Sequence, residues 1–361
     1  MRRSRAFLAV VACTVTTCLL VLPSTGTSVA AAAATCGGLP ATMVFGDTDD
    51  EVVGTAGNDV VVLGGGSDIY HDDPGGNDVV CAVSGDDIIF TGDGTDRVYG
   101  GTGSTIMVDG PGTDHYDGQG RYSSLHFDGD RINVHVADGN ESGNDDDTFT
   151  RLHEFSGTSG PDHFVGTNAH ERFFGEGGRD VVRLGGGRDL TEVWSGKARI
   201  YGGPGADTVT VAGTGLVRTG GGDDSVTVTG SGKVVVFLGP GYDLFTADDG
   251  WADVDGGPQA DGLIMVSSKR GALVDLANGT ARFRGGPTFD VVDFEGIVGT
   301  RFDDVLRGSS RPDRIDGDSG DDLLIGRGGD DTLVGYDGRD VADGGAGGDG
   351  CDAEVERRCE L

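Results

Sequence analysis

Six aspartates near the C-terminal end of the chain follow one another at a constant spacing of nine residues. They are Asp304, Asp313, Asp322, Asp331, Asp340 and Asp349. A fixed short period indicates a repeat architecture, in which each unit buries its apolar side chains by stacking on its neighbours. The clearest units are 317–325, Gly-Asp-Ser-Gly-Asp-Asp-Leu-Leu-Ile, and 326–334, Gly-Arg-Gly-Gly-Asp-Asp-Thr-Leu-Val.

Each position of the nine-residue unit has a physical role. Glycine at the first, second and fourth positions permits positive φ and close backbone approach, so the chain can turn tightly. Aspartate at the sixth position supplies a short, hard carboxylate, which suits Ca²⁺. The last three residues are extended, and the eighth places a large apolar side chain on one face. In the C-terminal units these side chains are Leu306, Ile315, Leu324 and Leu333.

The unit resembles the RTX (hemolysin-type) calcium-binding nonapeptide, Gly-Gly-x-Gly-x-Asp-x-U-x, where U is a large apolar residue. The resemblance implies an all-β fold, a parallel β-roll or right-handed parallel β-helix solenoid, with two units in each coil. It also implies Ca²⁺ ions between successive loops on the same edge. Asp304, Asp322 and Asp340 would line one edge, and Asp313, Asp331 and Asp349 the other. A disordered linker rich in glycine and aspartate is the alternative, and the regular apolar position argues against it.

The same unit recurs in two earlier parts of the chain. We divide the sequence into block one (36–119), a spacer (120–156), a degenerate block two (157–247), a second spacer (248–298), block three (299–352) and a C-terminal tail (353–361). The predicted sixth-position metal ligands outside block three are Asp59, Asp68, Asp78, Asp87, Asp96, Asp114, Asp162, Asp180, Asp189, Asp207, Asp224 and Asp243.

Several units depart from the pattern. Thr105 and Glu171 occupy sixth positions, so the sites that they would share are in doubt. Phe302 and Arg311 replace the fourth glycine, which predicts that these two loops do not close tightly on a metal. One step of ten residues at 71–74 predicts a bulge or loop. The two spacers resemble each other, and we expect them to form wider coils on the same stack.

The charge of the chain restricts its partners. There are 60 acidic and 27 basic residues, giving a net charge of −33. Phosphate backbones would be repelled, so nucleic acid is excluded as a partner, whereas many bound divalent cations would be accommodated. Stacked carboxylates would oppose folding without a cation, so we expect the chain to be disordered in chelator and to fold on binding Ca²⁺. Mg²⁺ should substitute poorly because it requires stricter geometry.

Residues 1–34 have the pattern of an export signal. Arg2, Arg3 and Arg5 precede an apolar run, and small residues follow it near position 34. An uncleaved membrane anchor is the alternative, although the run is short for a span, and no other stretch is apolar enough to cross a membrane. We therefore expect a secreted, extracellular protein. Four cysteines follow this segment, and the expected disulfides are Cys36–Cys81 and Cys351–Cys359, with free thiols as the alternative.

Standard catalytic motifs are absent from the sequence. Five histidines lie between positions 126 and 170, where a transition-metal or acid–base site is possible but scattered polar positions are favoured. We therefore expect a non-enzymatic calcium-binding protein with no catalytic residues and a structural or adhesive role at the cell surface, whose partner could be a surface component or a polysaccharide. The alternative is a calcium-dependent extracellular lyase or epimerase acting on polysaccharide, although no segment outside the repeats is long enough for a separate enzyme domain.

Overall fold

The computed structural model describes residues 34–72, 75–120, 122–129, 131–142, 146–194 and 196–359. The predicted export signal, residues 1–34, lies outside these residues except for Ala34. No helix in the described part of the chain has the length and apolar character needed to cross a membrane. Regular structure in this part consists of β-strands, so the all-β solenoid predicted from the repeats is confirmed.

The strands form two mainly parallel sheets that run along a stack of coils. The first sheet contains, in spatial order, Met43–Val44, Val60–Val62, Val79–Cys81, Arg97–Tyr99, His115–Asp117, Thr148–Thr150, Asn140–Ser142, Asn133–His135, His163–Val165, Val181–Arg183, Lys197–Pro204, Thr214–Gly221, Lys233–Phe237, Trp251–Asp255, Phe289–Val292, Thr280–Phe283, Ala272–Asp275, Val305–Arg307, Leu323–Gly328, Val341–Ala346 and Val355–Arg357. Each strand is paired to the next by backbone hydrogen bonds.

The second sheet alternates with the first along the sequence. Its strands are Glu51–Val53, Gly65–Gly66, Ile69–His71, Ser84–Phe90, Ser104–Val108, Ser124–His126, Glu154–Ser156, Arg172–Gly175, Leu190–Val193, Thr208–Ala212, Ser225–Thr229, Leu244–Asp248, Gly262–Val266, Gly296–Val298, Arg314–Asp316, Thr332–Val334 and Gly350–Asp352. A short antiparallel pair, Thr35–Cys36 with Leu39–Pro40, precedes both sheets.

The register within each sheet follows the predicted coil of eighteen residues. Leu306 pairs with Leu324 in the first sheet, and Ile315 pairs with Leu333 in the second. These four eighth-position side chains have no exposed surface. Each sheet therefore contributes one layer of side chains to the core that lies between the two sheets. At the predicted irregular step, Val60 pairs with Val79, which is one residue more than a regular coil.

Each spacer differs from the wider coil that we expected. In the first spacer the chain places three antiparallel strands, Asn133–His135, Asn140–Ser142 and Thr148–Thr150, between two parallel neighbours in the first sheet. The second spacer repeats this arrangement with Ala272–Asp275, Thr280–Phe283 and Phe289–Val292. The second sheet continues without interruption across both spacers, because Ser124–His126 pairs directly with Glu154–Ser156, and Gly262–Val266 pairs directly with Gly296–Val298.

The two predicted disulfides are both present. Cys36 bonds Cys81 and joins the entry segment to the third strand of the first sheet. Cys351 bonds Cys359 and ties the C-terminal tail to the final strand of the second sheet. The tail is also part of the stack, because Val355–Arg357 pairs in parallel with Val341–Ala346. Covalent links therefore close both ends of the described repeat array.

Candidate metal centres along the loop edges

The sixth-position aspartates stand in columns along the two edges where the sheets are joined by loops. The backbone N–H of Asp304 donates to Oδ1 of Asp322 at 2.7 Å, and the N–H of Asp322 donates to Oδ1 of Asp340 at 2.9 Å. On the opposite edge, Asp313 donates in the same way to Asp331, and Asp331 to Asp349. One carboxylate oxygen therefore accepts a backbone N–H in each of these coils of block three, and the two edges contain the aspartates that the repeat period assigned to them.

The same hydrogen bond joins sixth-position residues in blocks one and two. The pairs are Asp59–Asp78, Asp78–Asp96, Asp96–Asp114, Asp68–Asp87, Asp162–Asp180, Asp189–Asp207, Asp207–Asp224 and Asp224–Asp243. All eighteen predicted ligands are buried side chains. Like charges thus stand close together in a poorly solvated environment along most of the stack.

The second carboxylate oxygen is the feature that separates these aspartates into two classes. In twelve of the eighteen, Oδ2 is buried and has no hydrogen-bond partner: Asp68, Asp87, Asp96, Asp180, Asp189, Asp207, Asp224, Asp243, Asp322, Asp331, Asp340 and Asp349. A buried carboxylate oxygen without a donor is costly, and native structures avoid it unless an ion or another group compensates. We call these the open loops.

The first-position glycine shows what surrounds that oxygen. A Cβ added to Gly317 would lie 2.4 Å from Oδ2 of Asp322 and 2.9 Å from the carbonyl oxygen of Gly335, one coil further along. At Gly326 the corresponding distances are 2.2 Å to Asp331 and 2.5 Å to the carbonyl of Gly344. A carboxylate and a backbone carbonyl therefore converge on one small space, which explains the glycine. Hard oxygen donors of these two kinds are the ligands that Ca²⁺ takes, so the residues present fit this ion.

Burial raises the pKa of the open-loop carboxyls. Desolvation, with repulsion from Asp304 and Asp340 on either side, raises the pKa of Asp322 to about 7. Desolvation raises the pKa of Asp180 and of Asp189 to about 7 as well. At neutral pH these columns would therefore be partly protonated unless a cation neutralised them.

In the other six predicted ligands a hydroxyl group donates to the carboxylate. In block three, Thr300 donates its N–H (2.5 Å) to Oδ2 and its hydroxyl (3.0 Å) to Oδ1 of Asp304, and Ser309 caps Asp313 in a similar way. The complete set of donor–acceptor pairs is Thr55–Asp59, Tyr70–Asp78, Tyr116–Asp114, Thr158–Asp162, Thr300–Asp304 and Ser309–Asp313. We call these the capped loops.

In four of the six capped loops the hydroxyl belongs to a threonine or serine at the second position, and three of these four loops begin blocks. This threonine or serine replaces the glycine of the consensus. Its N–H and its O–H both donate to the carboxylate, which therefore has hydrogen-bond donors without a metal. The two loops that lack the fourth glycine, at Phe302 and Arg311, are both capped. Neither residue has positive φ, so these loops close by hydrogen bonding rather than through a glycine turn.

Glu171 and Thr105 depart from the consensus in different ways. Glu171 keeps its place in the column, since its N–H donates to Oδ1 of Asp189 and its carboxylate accepts from the hydroxyl of Thr167. Thr105 is buried, and its hydroxyl donates to the carbonyl of Gly100 at 2.7 Å. Thr105 therefore leaves its coil without a carboxylate in the column.

The columns also contain acidic residues that the sequence reading missed. Asp147, Asp261, Glu295 and Glu354 accept the backbone N–H of the preceding column member: Asp114, Asp243, Asp261 and Asp340, respectively. Asp261 lies eighteen residues after Asp243, so an extension of the period into the second spacer would have found it. The other three follow irregular segments, where the period gives no guide.

The possible histidine site is not assembled in the part of the chain that the structure describes. His135 and His163 are neighbours, with ring centroids 6.0 Å apart, and Nε2 of His163 contacts the guanidinium of Arg183 at 2.7 Å. Burial, and then the charge of that guanidinium, lower the pKa of His163. The described clusters of three or more side chains able to hold a metal contain aspartates alone.

Comparison with known proteins agrees with the loop geometry. The family model described as RTX calcium-binding nonapeptide repeat (4 copies) matches residues 46–71, 75–107, 156–190, 298–333 and 316–351. No curated protein gives a significant match to the chain. The matched segments contain both open and capped loops, and they stack as one parallel roll. The chain therefore contains RTX calcium-binding nonapeptide repeats, and they are stacked in a β-roll fold.

Proposed function

We propose that this protein is a secreted, non-enzymatic β-roll that folds when it binds extracellular Ca²⁺ and then serves a structural or adhesive role at the cell surface. The observation that carries the proposal is the column of buried, unpartnered carboxylate oxygens along both loop edges. Sixth-position aspartates, together with first-position carbonyls, are the proposed ligands of several Ca²⁺ ions. The eighteen aspartates named from the sequence are the proposed set, with the open loops as the principal sites.

Electrostatics supports a metal-dependent fold. Strands in a sheet are about 4.8 Å apart, so each open loop holds its carboxylate close to two others of the same charge. A divalent ion between two loops would neutralise both and would satisfy the unpartnered oxygens. Because the unfolded chain has no such preformed sites, the free energy of binding becomes free energy of folding.

The expected compartment follows from two features of the chain. Disulfides persist in oxidising environments, and the described structure contains two of them. Extracellular calcium modules often bind at about 10⁻⁴–10⁻³ M, which matches calcium outside cells and exceeds the level inside them. A chain with these properties would remain unfolded before export and would fold afterwards.

The test is a calcium titration of the purified mature chain in chelator, followed by far-UV circular dichroism. We expect a weak β-signal in EDTA, a cooperative gain at about 10⁻⁴–10⁻³ M Ca²⁺ and little gain with Mg²⁺. A full β-signal in metal-free EDTA would overturn the proposal. Incubation with acidic polysaccharides tests the non-enzymatic part, and calcium-dependent turnover abolished by substitution of His126 or His135 would contradict it.

A further inference from the structure

Block one contains a buried trio of aspartates that the repeat pattern does not account for. Asp72 occupies the first position of its unit, where the consensus has glycine, and it lies beside the sixth-position residues Asp78 and Asp96. Carboxylate oxygens of the three residues all lie within 4.8 Å of one another. Each residue is at most 5% exposed.

Asp72 is the member that points to a ligand. Both of its carboxylate oxygens are buried and make no well-formed hydrogen bond with the described residues, although the backbone N–H of Gly75 lies nearby. Oδ2 of Asp96 is also unpartnered, so three oxygens of the trio lack a well-formed hydrogen bond. An aspartate that is 95% buried, with neither oxygen satisfied, is far more costly than the half-satisfied carboxylates of the open loops.

The space around the trio is built to admit this side chain. A Cβ on Gly54 would lie 2.6 Å from the hydroxyl of Tyr70, 3.3 Å from Oδ1 of Asp72 and 3.4 Å from Oδ2 of Asp78, so these polar atoms face one cradle. In consensus loops a first-position Cβ would collide with the sixth-position carboxylate. Here the loop is one residue longer than in a regular coil.

Tyr70 orients the trio without acting as a ligand. Its hydroxyl donates to Oδ2 of Asp78 at 2.5 Å and is fully buried. A site of three carboxylates, without a phenolate, imidazole or thiolate, selects a hard cation such as Ca²⁺ over softer transition metals.

We propose that Asp72, Asp78 and Asp96 form a second kind of calcium site, ligated by three carboxylates, which binds Ca²⁺ more tightly than the open loops. The greater affinity follows from ligand charge, since calcium affinity rises with the number of carboxylates in a site. The proposal deepens the proposed function by giving its calcium sites two affinity classes. Asp109, Asp114 and Asp147 form a similar trio near Tyr116, but the proposal concerns the first alone.

The experiment uses Tb³⁺ as the probe on the full mature chain after removal of metal. Excitation of tyrosine should give sensitised Tb³⁺ emission from this site, because Tyr70 contacts a ligand directly. The titration should show a high-affinity phase, here called the tight phase, and a weaker phase. We expect Asp72→Gly, which restores the consensus residue, to remove one ion from the tight phase or to weaken its binding by about tenfold or more. Asp72→Asn should do the same with less change in shape, and Ca²⁺ should displace the ion from the wild-type protein.

Asp93→Asn is the matched control, because this exposed carboxylate belongs to the neighbouring loop but not to the trio. It should leave the tight phase unchanged. An unchanged number and affinity of tight ions in both Asp72 variants would overturn the proposal, as would Tb³⁺ that Ca²⁺ fails to displace. If the weaker phase and the folding response to Ca²⁺ were missing while the Asp72 variants still lost an ion, the proposed function would fail and this inference would stand.

Discussion

Replacing one open-loop aspartate with asparagine should change stability in opposite directions with and without calcium. In Asp322→Asn the amide oxygen can still accept the N–H of Asp304, while the unpartnered Oδ2 is replaced by a neutral NH₂ group. The carbonyl oxygen of Gly335 faces the same space and offers that group an acceptor. The variant therefore removes a buried charge without leaving a new unpaired group.

The size of the gain follows from the pKa of the wild-type carboxyl. Burial raises that pKa from 3.8 to about 7 for Asp322, which is 2% exposed. At about 1.4 kcal/mol per pH unit, keeping this group ionised at pH 8 costs the metal-free fold about 4 kcal/mol. The folded pKa is raised, so the stability linked to this proton is complete below about pH 4 and is lost as the pH rises through about 7. The gain in the variant should therefore fall from about 4 kcal/mol at pH 8 to about 1.6 kcal/mol at pH 5.

The assay is osmolyte-driven folding in EDTA, monitored by far-UV circular dichroism at pH 8 and pH 5, with a parallel denaturation in millimolar calcium. Asp322→Asn should fold at a lower osmolyte concentration than wild type at pH 8. In calcium it should be less stable by about 2 kcal/mol, because a neutral amide is a poorer calcium ligand than a carboxylate. Loss of stability under both conditions would refute the assignment of Oδ2 as a metal ligand.

Asp313→Asn is the control within the same block. Ser309 already donates its N–H and its hydroxyl to this carboxylate, so part of the burial cost is offset in the wild-type protein. The variant should gain clearly less in EDTA at pH 8 than Asp322→Asn gains. Equal gains would show that the hydroxyl cap does not distinguish the two classes of loop.

Three further predictions concern the same loops. Gly326→Ala places a Cβ 2.2 Å from Oδ2 of Asp331 and should lower the free energy of unfolding in calcium by about 2 kcal/mol or more, measured by denaturant titration. Gly350→Ala is its control: a Cβ there has no atom within 4 Å, and the free energy of unfolding should change by less than about 0.5 kcal/mol. Thr300→Val should cost about 1 kcal/mol in calcium, because Asp304 loses a hydroxyl donor, and an unchanged midpoint would contradict the cap. Lowering the pH from 8 to 5 in EDTA should promote folding of the wild-type chain, because the column carboxyls titrate at about 6 to 8, and circular dichroism at each pH measures this effect.

The repeat period predicted most of the stack because one physical constraint sets both the sequence and the structure. Every coil must return its eighth-position side chain to the core and its sixth-position carboxylate to the same edge. A spacing of eighteen residues therefore places Leu306 on Leu324 and Asp304 beside Asp322. The sequence also predicted the two cysteine pairs, because the four cysteines that follow the export-signal pattern fall into two groups at the two ends of the repeat array.

The period could not predict what happens where it is interrupted. The antiparallel strands of the spacers depend on hairpin turns such as the one at Gly279, which has a φ of +62°. Asp147 and Glu295 reach the columns only because these turns restore the chain to the correct edge. The division into open and capped loops was also missed, although a threonine or serine at the second position is a readable signal for it.

The spacers solve a problem of alignment that a perfect repeat would create. A chain of identical units could shift by a whole turn and still match leucine with leucine and acid with acid, so many misaligned states would have nearly equal energy. Each spacer contributes one antiparallel strand, Asn140–Ser142 or Thr280–Phe283, that pairs only with other strands of the same spacer and with no strand of an ordinary unit. The spacer therefore fixes the register in which the coils stack. Deletion of a spacer should give a protein whose coils are still ordered but are stacked in several different registers.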